Sequence, residues 1–105
     1  ATDTTTVDIH PGKPTVTVPN GSENWNTGST EVIKWDVGDI DSNVKIELLK
    51  GDKLNLVITD AHYNGGEFRW TIPNSVSSGT DYKIRITSVV TVTKTDQSDN
   101  NFTIE

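Results

Sequence analysis

The amino-acid sequence predicts an all-β protein, and three observations support this. Apolar and polar residues alternate in short segments, which is the pattern of strands with one buried face. Turn-forming pairs of Gly, Asn, Asp and Ser separate these segments, because Gly and Asn tolerate the backbone angles of tight turns. No stretch carries apolar residues at the 3.6-residue spacing of a helix. The 105 residues are enough for one domain with a single two-layer core.

The alternation predicts seven strands. In the second of them, Ile33, Trp35 and Val37 face inward, whereas Lys34 and Asp36 face outward. The segment 89–93 is rich in β-branched residues but breaks the rhythm, so a long loop or a short hairpin is expected there. The predicted strands cover residues 15–18, 32–37, 44–49, 54–59, 68–72, 82–87 and 102–104.

The N-terminal residues differ in character from the remainder of the chain. Residues 1–13 contain few apolar side chains and include the Pro11-Gly12 break. This composition predicts an interdomain linker or a frayed leader, followed by one β-sandwich domain over residues 14–105.

Seven strands with one apolar face each are best buried by two sheets packed face to face. Trp35, Trp70, Tyr82 and Phe102 are large enough to fill the layer between the sheets. Tyr82 begins the sixth strand, where immunoglobulin-like sandwiches carry a tyrosine whose hydroxyl bonds back to nearby backbone. These features predict an immunoglobulin/fibronectin-III-like sandwich. Because the chain has no cysteine, and therefore no disulfide, the fibronectin-III-like form fits better than that of antibody domains.

Composition and charge exclude several kinds of function. Fifteen acidic and nine basic residues give a net charge of −6, which disfavours nucleic acid and anionic membrane surfaces. No apolar run approaches the roughly 20 residues that span a bilayer, so membrane insertion is not expected. Thr and Ser account for 24 of the 105 residues, a hydroxyl-rich composition common in extracellular modules.

The sequence contains no recognisable catalytic apparatus. It has no cysteine nucleophile and no Gly-x-Ser-x-Gly elbow, and its two histidines, His10 and His62, fall in the leader and in a loop. Phosphate-binding and dinucleotide-binding glycine motifs are also absent. Accidental carboxylate pairs are unavoidable with fifteen acids in a small domain. A non-enzymatic protein without a cofactor is therefore expected.

Four oxygen-bearing residues in one loop raise the alternative of a calcium site. Asp36, Asp39, Asp41 and Asn43 lie within eight residues between two predicted strands, and calcium prefers such oxygen ligands. Their spacing does not match an EF-hand, and Asp and Asn are also ordinary turn residues. A solvated turn is the competing interpretation.

Three aromatic residues raise the alternative of a carbohydrate-binding site. Trp25 falls in a loop after the first strand, and His62 and Tyr63 precede a turn. Exposed aromatic rings stack on the apolar face of sugars. The competing interpretation is that Trp25 folds over the open end of the sandwich as a lid on the core.

Six segments together resemble a known family: 16–25, 28–35, 43–51, 66–73, 78–87 and 98–104. The chain is similar to the Ser/Thr-rich, GPI-anchored-type cell-wall domain family, an immunoglobulin-like module shared with fungal β-1,6-glucan assembly proteins and secreted prokaryotic proteins. The chain departs from the family at Ser22, where a second glycine is usual, and in the long 89–97 insertion. The resemblance implies an extracellular accessory module without catalytic residues, and it supplies no ligand-binding residues to carry over.

The sequence therefore predicts a non-catalytic accessory or spacer module of a larger secreted or cell-surface protein. Its expected partners are the neighbouring domains of that protein and cell-wall polysaccharide, and the module itself is expected to be a monomer. A carbohydrate-binding module of a polysaccharide-active enzyme and a protein-binding adhesion module are the alternatives.

Overall fold

The structure of the protein is a computed structural model that describes residues 13–105. These residues form nine strands in two sheets and no helix, which confirms the predicted all-β sandwich. Nothing in this part of the chain is a helix long and apolar enough to cross a membrane. Residues 1–12 of the predicted linker, with His10, lie outside the described residues, so the boundary at residue 14 stays a prediction. The strands are β1 (Thr15–Val18), β2 (Asn24–Trp25), β3 (Thr30–Asp36), β4 (Val44–Lys50), β5 (Lys53–His62), β6 (Glu67–Thr71), β7 (Gly79–Ser88), β8 (Thr95–Gln97) and β9 (Phe102–Ile104).

The two sheets differ in size. The smaller sheet has the order β1-β3-β6, and its neighbouring strands are antiparallel. The larger sheet has the order β2-β9-β7-β4-β5, and β8 also pairs with β7. The β2–β9 pair is parallel, whereas the other pairs of this sheet are antiparallel.

The core between the sheets contains most of the residues that the alternation assigns to it, with Val37 and Leu54 as exposed exceptions. Tyr82, Ile84 and Ile86 of β7 are fully buried, and Trp35 and Trp70 of the smaller sheet are 4% and 5% exposed. Burying such side chains contributes about 1.5–3 kcal/mol each, so this layer supplies most of the stability.

Val37 does not take the inward position predicted for it. The strand β3 ends at Asp36, and Val37 is 37% exposed. Gly38 then turns the chain with a φ of 62°, and a Cβ at that position would collide with the main-chain oxygen of Lys13. The chain therefore leaves the sheet one residue earlier than the alternation predicts.

The central strand β4 is buried on both faces. Glu47 and Leu49 point away from the core, as predicted for Glu47, yet they are only 5% and 1% exposed. The strand lies between β7 and β5, so side chains of both neighbours flank its outer face. Arg85 of β7 donates from Nε to the Glu47 carboxylate at 2.9 Å and so compensates the buried charge.

The segment 89–93 forms the connection of a hairpin, one of the two forms expected there. The hairpin joins β7 to β8, and Thr87 pairs with Thr95. The strands β8 and β9 both pair with β7. The residues between these two strands, 98–101, leave a gap in the pairing along that side of β7. Ser98 spans this interruption: its Oγ accepts from the Ile84 N–H at 3.0 Å and donates to the Pro19 carbonyl at 2.6 Å.

Tyr82 forms the predicted tyrosine corner. Its hydroxyl donates to the main-chain carbonyl of Ser77, and burial raises the pKa of the phenol. Lys50 lies over the Tyr82 ring at 4.8 Å and pairs with Asp81 at 2.6 Å. This hydrogen bond raises the pKa of Lys50 and lowers that of Asp81.

Candidate functional site

Three loops meet at one end of the sandwich, here called the loop end: β3–β4 (37–43), β5–β6 (63–66) and β7–β8 (89–94). Hydrogen bonds connect the first and third of them. Lys94 Nζ donates to the Asp39 carbonyl at 2.9 Å, and the Val89 N–H donates to the Asn43 carbonyl at 3.1 Å. The loop end is thus a connected surface carried by both sheets.

Asn64 fixes the β5–β6 loop against the β3–β4 loop. Its Nδ2 donates to the carbonyls of Val37 and Ile40 at 3.2 and 3.3 Å. Its Oδ1 accepts from the indole N–H of Trp35 at 2.7 Å. Because both ends of the amide are engaged, the position of this loop is tied to a core tryptophan.

A shallow depression of about 280 Å³ lies on the loop end, here called the Tyr63 groove. A second depression of about 190 Å³ adjoins it on the side of the β7–β8 loop. The Tyr63 groove is lined by Ile40, Asp41, Ser42, Asn43, Tyr63 and Asn64.

Tyr63 presents an open aromatic ring beside this groove. The residue is 75% exposed, whereas the other tyrosine, Tyr82, is fully buried. The Tyr63 ring rests against Gly65, because a Cβ at Gly65 would lie 2.9 Å from two ring carbons. One part of the ring is therefore supported by the turn, and the remainder faces solvent.

His62 does not share this surface, although the sequence pairs it with Tyr63 as a candidate. It is half-buried, and its ring meets the Phe68 ring at 4.7 Å with an interplanar angle of 80°. The strand β5 ends at His62, whose ring lies against Phe68, whereas Tyr63 begins the following loop and is exposed to solvent.

Trp25 is buried, as the lid interpretation expects. It is 7% exposed, and its ring packs on Phe102 with a centroid distance of 5.1 Å. A ring in this position offers no free face for a sugar. The geometry therefore gives no support to Trp25 as a carbohydrate-binding residue.

Trp25 also lies at the end of the sandwich opposite Tyr63. Its neighbour Ile104 is opposite Gly79 at the start of β7, whereas Val44, next to His62, is opposite Ser88 at the end of β7. The ten residues of β7 span about 30 Å. A shared Trp25–Tyr63 platform is therefore not formed.

The residues of the calcium interpretation do not converge. Within residues 13–105, no group of three or more Asp, Glu or His side chains is placed to hold a metal ion. Asp36 Oδ1 accepts from the Gly38 N–H at 3.2 Å, which is the turn-forming role of Asp. The set Asp36, Asp39, Asp41 and Asn43 thus has no geometric support as a metal site.

The structure brings together residues that the sequence assigns to two different sites. Asp41 and Asn43, taken as calcium ligands, line the same groove as Tyr63, taken as a sugar platform. The supporting roles of Asn64 and Gly65 were missed, because the Asn64-Gly65 pair carries only a turn signal. Clear pKa shifts occur at Lys50, Asp81 and Tyr82, at the opposite end of the sandwich, where the ion pair and burial explain them.

Comparison with known proteins identifies one family. The family model described as the Kre9/KNH-like N-terminal Ig-like domain matches residues 18–104. The match begins at the last residue of β1 and ends at the last residue of β9, and so covers nearly the whole sandwich. No curated protein and no solved structure matches the chain significantly.

Proposed function

Because the chain belongs to the family of Kre9/KNH-like N-terminal Ig-like domains, we propose that this cell-wall related module is a non-catalytic spacer in a secreted or cell-surface protein. The Ser/Thr-rich, GPI-anchored-type character inferred from the sequence is part of the same proposal. The hydroxyl-rich composition supports an extracellular location.

One observation carries the spacer role: Lys13 and Glu105, which flank the nine strands, lie at opposite ends of the sandwich. Lys13 lies against Gly38 at the loop end. Glu105 donates its N–H to the Trp25 carbonyl at 2.8 Å, at the far end. Segments joined to these two residues would be separated by the length of the sandwich, about 30 Å from β7 alone.

The edge of the larger sheet that β5 forms supports a monomeric spacer. The strand β5 pairs with β4 through three register irregularities, and Lys53 stands at its start. Register irregularities and edge lysines disfavour pairing with a second chain. This is the behaviour required of a module that separates its neighbours without joining another copy.

The spacer role is tested by placing the module between two identical folded reporter domains that each carry one spin label. We expect a narrow distance distribution, whereas a Gly/Ser linker of equal residue count spreads broadly around roughly 50–60 Å. A distribution as broad as that of the linker would contradict the proposal. Turnover of polysaccharide or ester substrates by the isolated module would contradict its non-catalytic part.

A further inference from the structure

We propose that Tyr63 is the platform of a carbohydrate-binding site that stacks on the apolar C–H face of a neutral pyranose. The proposal goes beyond the spacer role and does not depend on it. An aromatic ring that is 75% exposed forfeits the stabilisation that burial would give it. Such a ring is typical of binding surfaces, where it supplies a large contact area with few rotatable bonds.

The ring is held in place before any ligand arrives. Gly65 donates its N–H to the Tyr63 carbonyl at 2.9 Å and closes a tight turn beneath the ring. Asn64, between the two, is anchored by its three hydrogen bonds to Trp35, Val37 and Ile40. A platform supported in this way loses little freedom on binding, which favours affinity.

Polar groups line the groove beside the ring. Asp41 and Asn43 are exposed, so their side chains are accessible to sugar hydroxyls. Ser42 also lines the groove, and its hydroxyl is engaged with the Ser88 hydroxyl at 2.9 Å. The groove thus places an aromatic ring beside polar groups that can bond sugar hydroxyls.

Size and charge define the ligand. The groove, at about 280 Å³, is near the lower end of ligand sites and fits about one sugar residue. The Asp41 carboxylate and the net charge of −6 repel uronic acids and sulfated sugars. The site therefore favours neutral polysaccharides over acidic ones.

The test is a set of pull-downs with insoluble cellulose, chitin, xylan and β-glucan, and with pectin as an acidic polymer. We expect the wild type to be retained on at least one neutral polymer and not on pectin. Tyr63→Ala should weaken retention by about tenfold, whereas Tyr63→Phe, which keeps the ring, should bind as the wild type does. Unfolding midpoints measured for each variant establish that the fold is intact.

Gly65→Ala is the sharpest variant, because it alters the platform without altering its chemistry. Gly65 is exposed and does not have a left-handed φ, so alanine fits its backbone. The added Cβ would meet the Tyr63 ring and move it, and we expect retention to fall several-fold at an unchanged unfolding midpoint. Val90→Ser, on the neighbouring loop, is the matched control and should bind normally.

Two results would overturn the proposal. The first is no retention of the wild type on any of these polymers. The second is equal retention of wild type and Tyr63→Ala. If Val90→Ser then lost retention, the contact would belong to the exposed valines of the β7–β8 loop.

Discussion

Replacing Ser98 with alanine should destabilise the fold by about 3 kcal/mol. Ser98 is 2% exposed and lies in the gap between β8 and β9, the two strands that pair with the same side of β7. There it supplies hydrogen bonds to β7 that a paired strand would otherwise make. Its main-chain N–H donates to the Ile84 carbonyl at 2.9 Å, and its Oγ accepts the Ile84 N–H. The same hydroxyl donates to Pro19 and so joins the end of β1 to the larger sheet.

The magnitude follows from the groups that alanine leaves without a partner. A buried N–H without an acceptor costs about 1–3 kcal/mol, and this applies to Ile84. The lost bond to the buried Pro19 carbonyl adds about 1 kcal/mol. Together they give about 3 kcal/mol, which lowers the melting temperature by roughly 12–24 °C in a domain of this size.

Urea unfolding followed by tryptophan fluorescence, supported by calorimetry, measures this difference. Ser75→Ala is the matched control, because Ser75 is exposed in the turn after β6. A loss below about 1 kcal/mol for Ser98→Ala, with an unchanged m-value, would refute the reasoning. It would mean that the Ile84 N–H finds another acceptor once the hydroxyl is gone.

Three further predictions concern the end of the sandwich opposite the loop end. Tyr82→Phe removes the bond to the Ser77 carbonyl and should cost about 1 kcal/mol in urea unfolding; a neutral result would contradict a structural tyrosine corner. Asp81→Asn should cost stability at neutral pH, because Lys50 lowers the pKa of this carboxylate in the folded state. The stability that this ion pair contributes is present above the unfolded pKa of Asp, about 3.9, and is lost as the pH falls through the lower pKa of Asp81 in the folded state. The urea midpoints of variant and wild type should therefore converge in acid. A difference that stays constant with pH would refute this. Trp25→Ala should lower the free energy of unfolding by about 3–5 kcal/mol, since the ring is buried on Phe102, and a loss below about 1 kcal/mol would contradict that packing.

The sequence by itself determined the strands and the faces they bury. Alternation is a local property: Ile33 and Trp35, two residues apart, must share a face whatever the neighbouring strand is. This is why all seven predicted strands are present and why Tyr82 was placed correctly at the start of its strand. The exceptions, Val37 and Leu54, lie next to strand ends, where turns replace the alternation, and are 37% and 55% exposed.

Only the tertiary structure decided the short strands and the burial of Trp25. The strand β2 has only two residues, and the three residues of β8 are all polar, so neither strand shows an alternation of apolar and polar side chains. They exist because β9 and β7 supply hydrogen-bonding partners. Trp25 is covered by Phe102, far along the chain, so no local signal distinguishes a lid from an exposed platform.

The candidate site was decided in the same way. Tyr63, Asp41 and Asn43 were each noticed in the sequence, but as members of two unrelated sites. Their common groove arises because strand order brings the β3–β4 and β5–β6 loops to one end, where Asn64 joins them. Local pattern determines which way a side chain points. Which loops meet depends on pairing between distant strands, and that is a property of the folded chain alone.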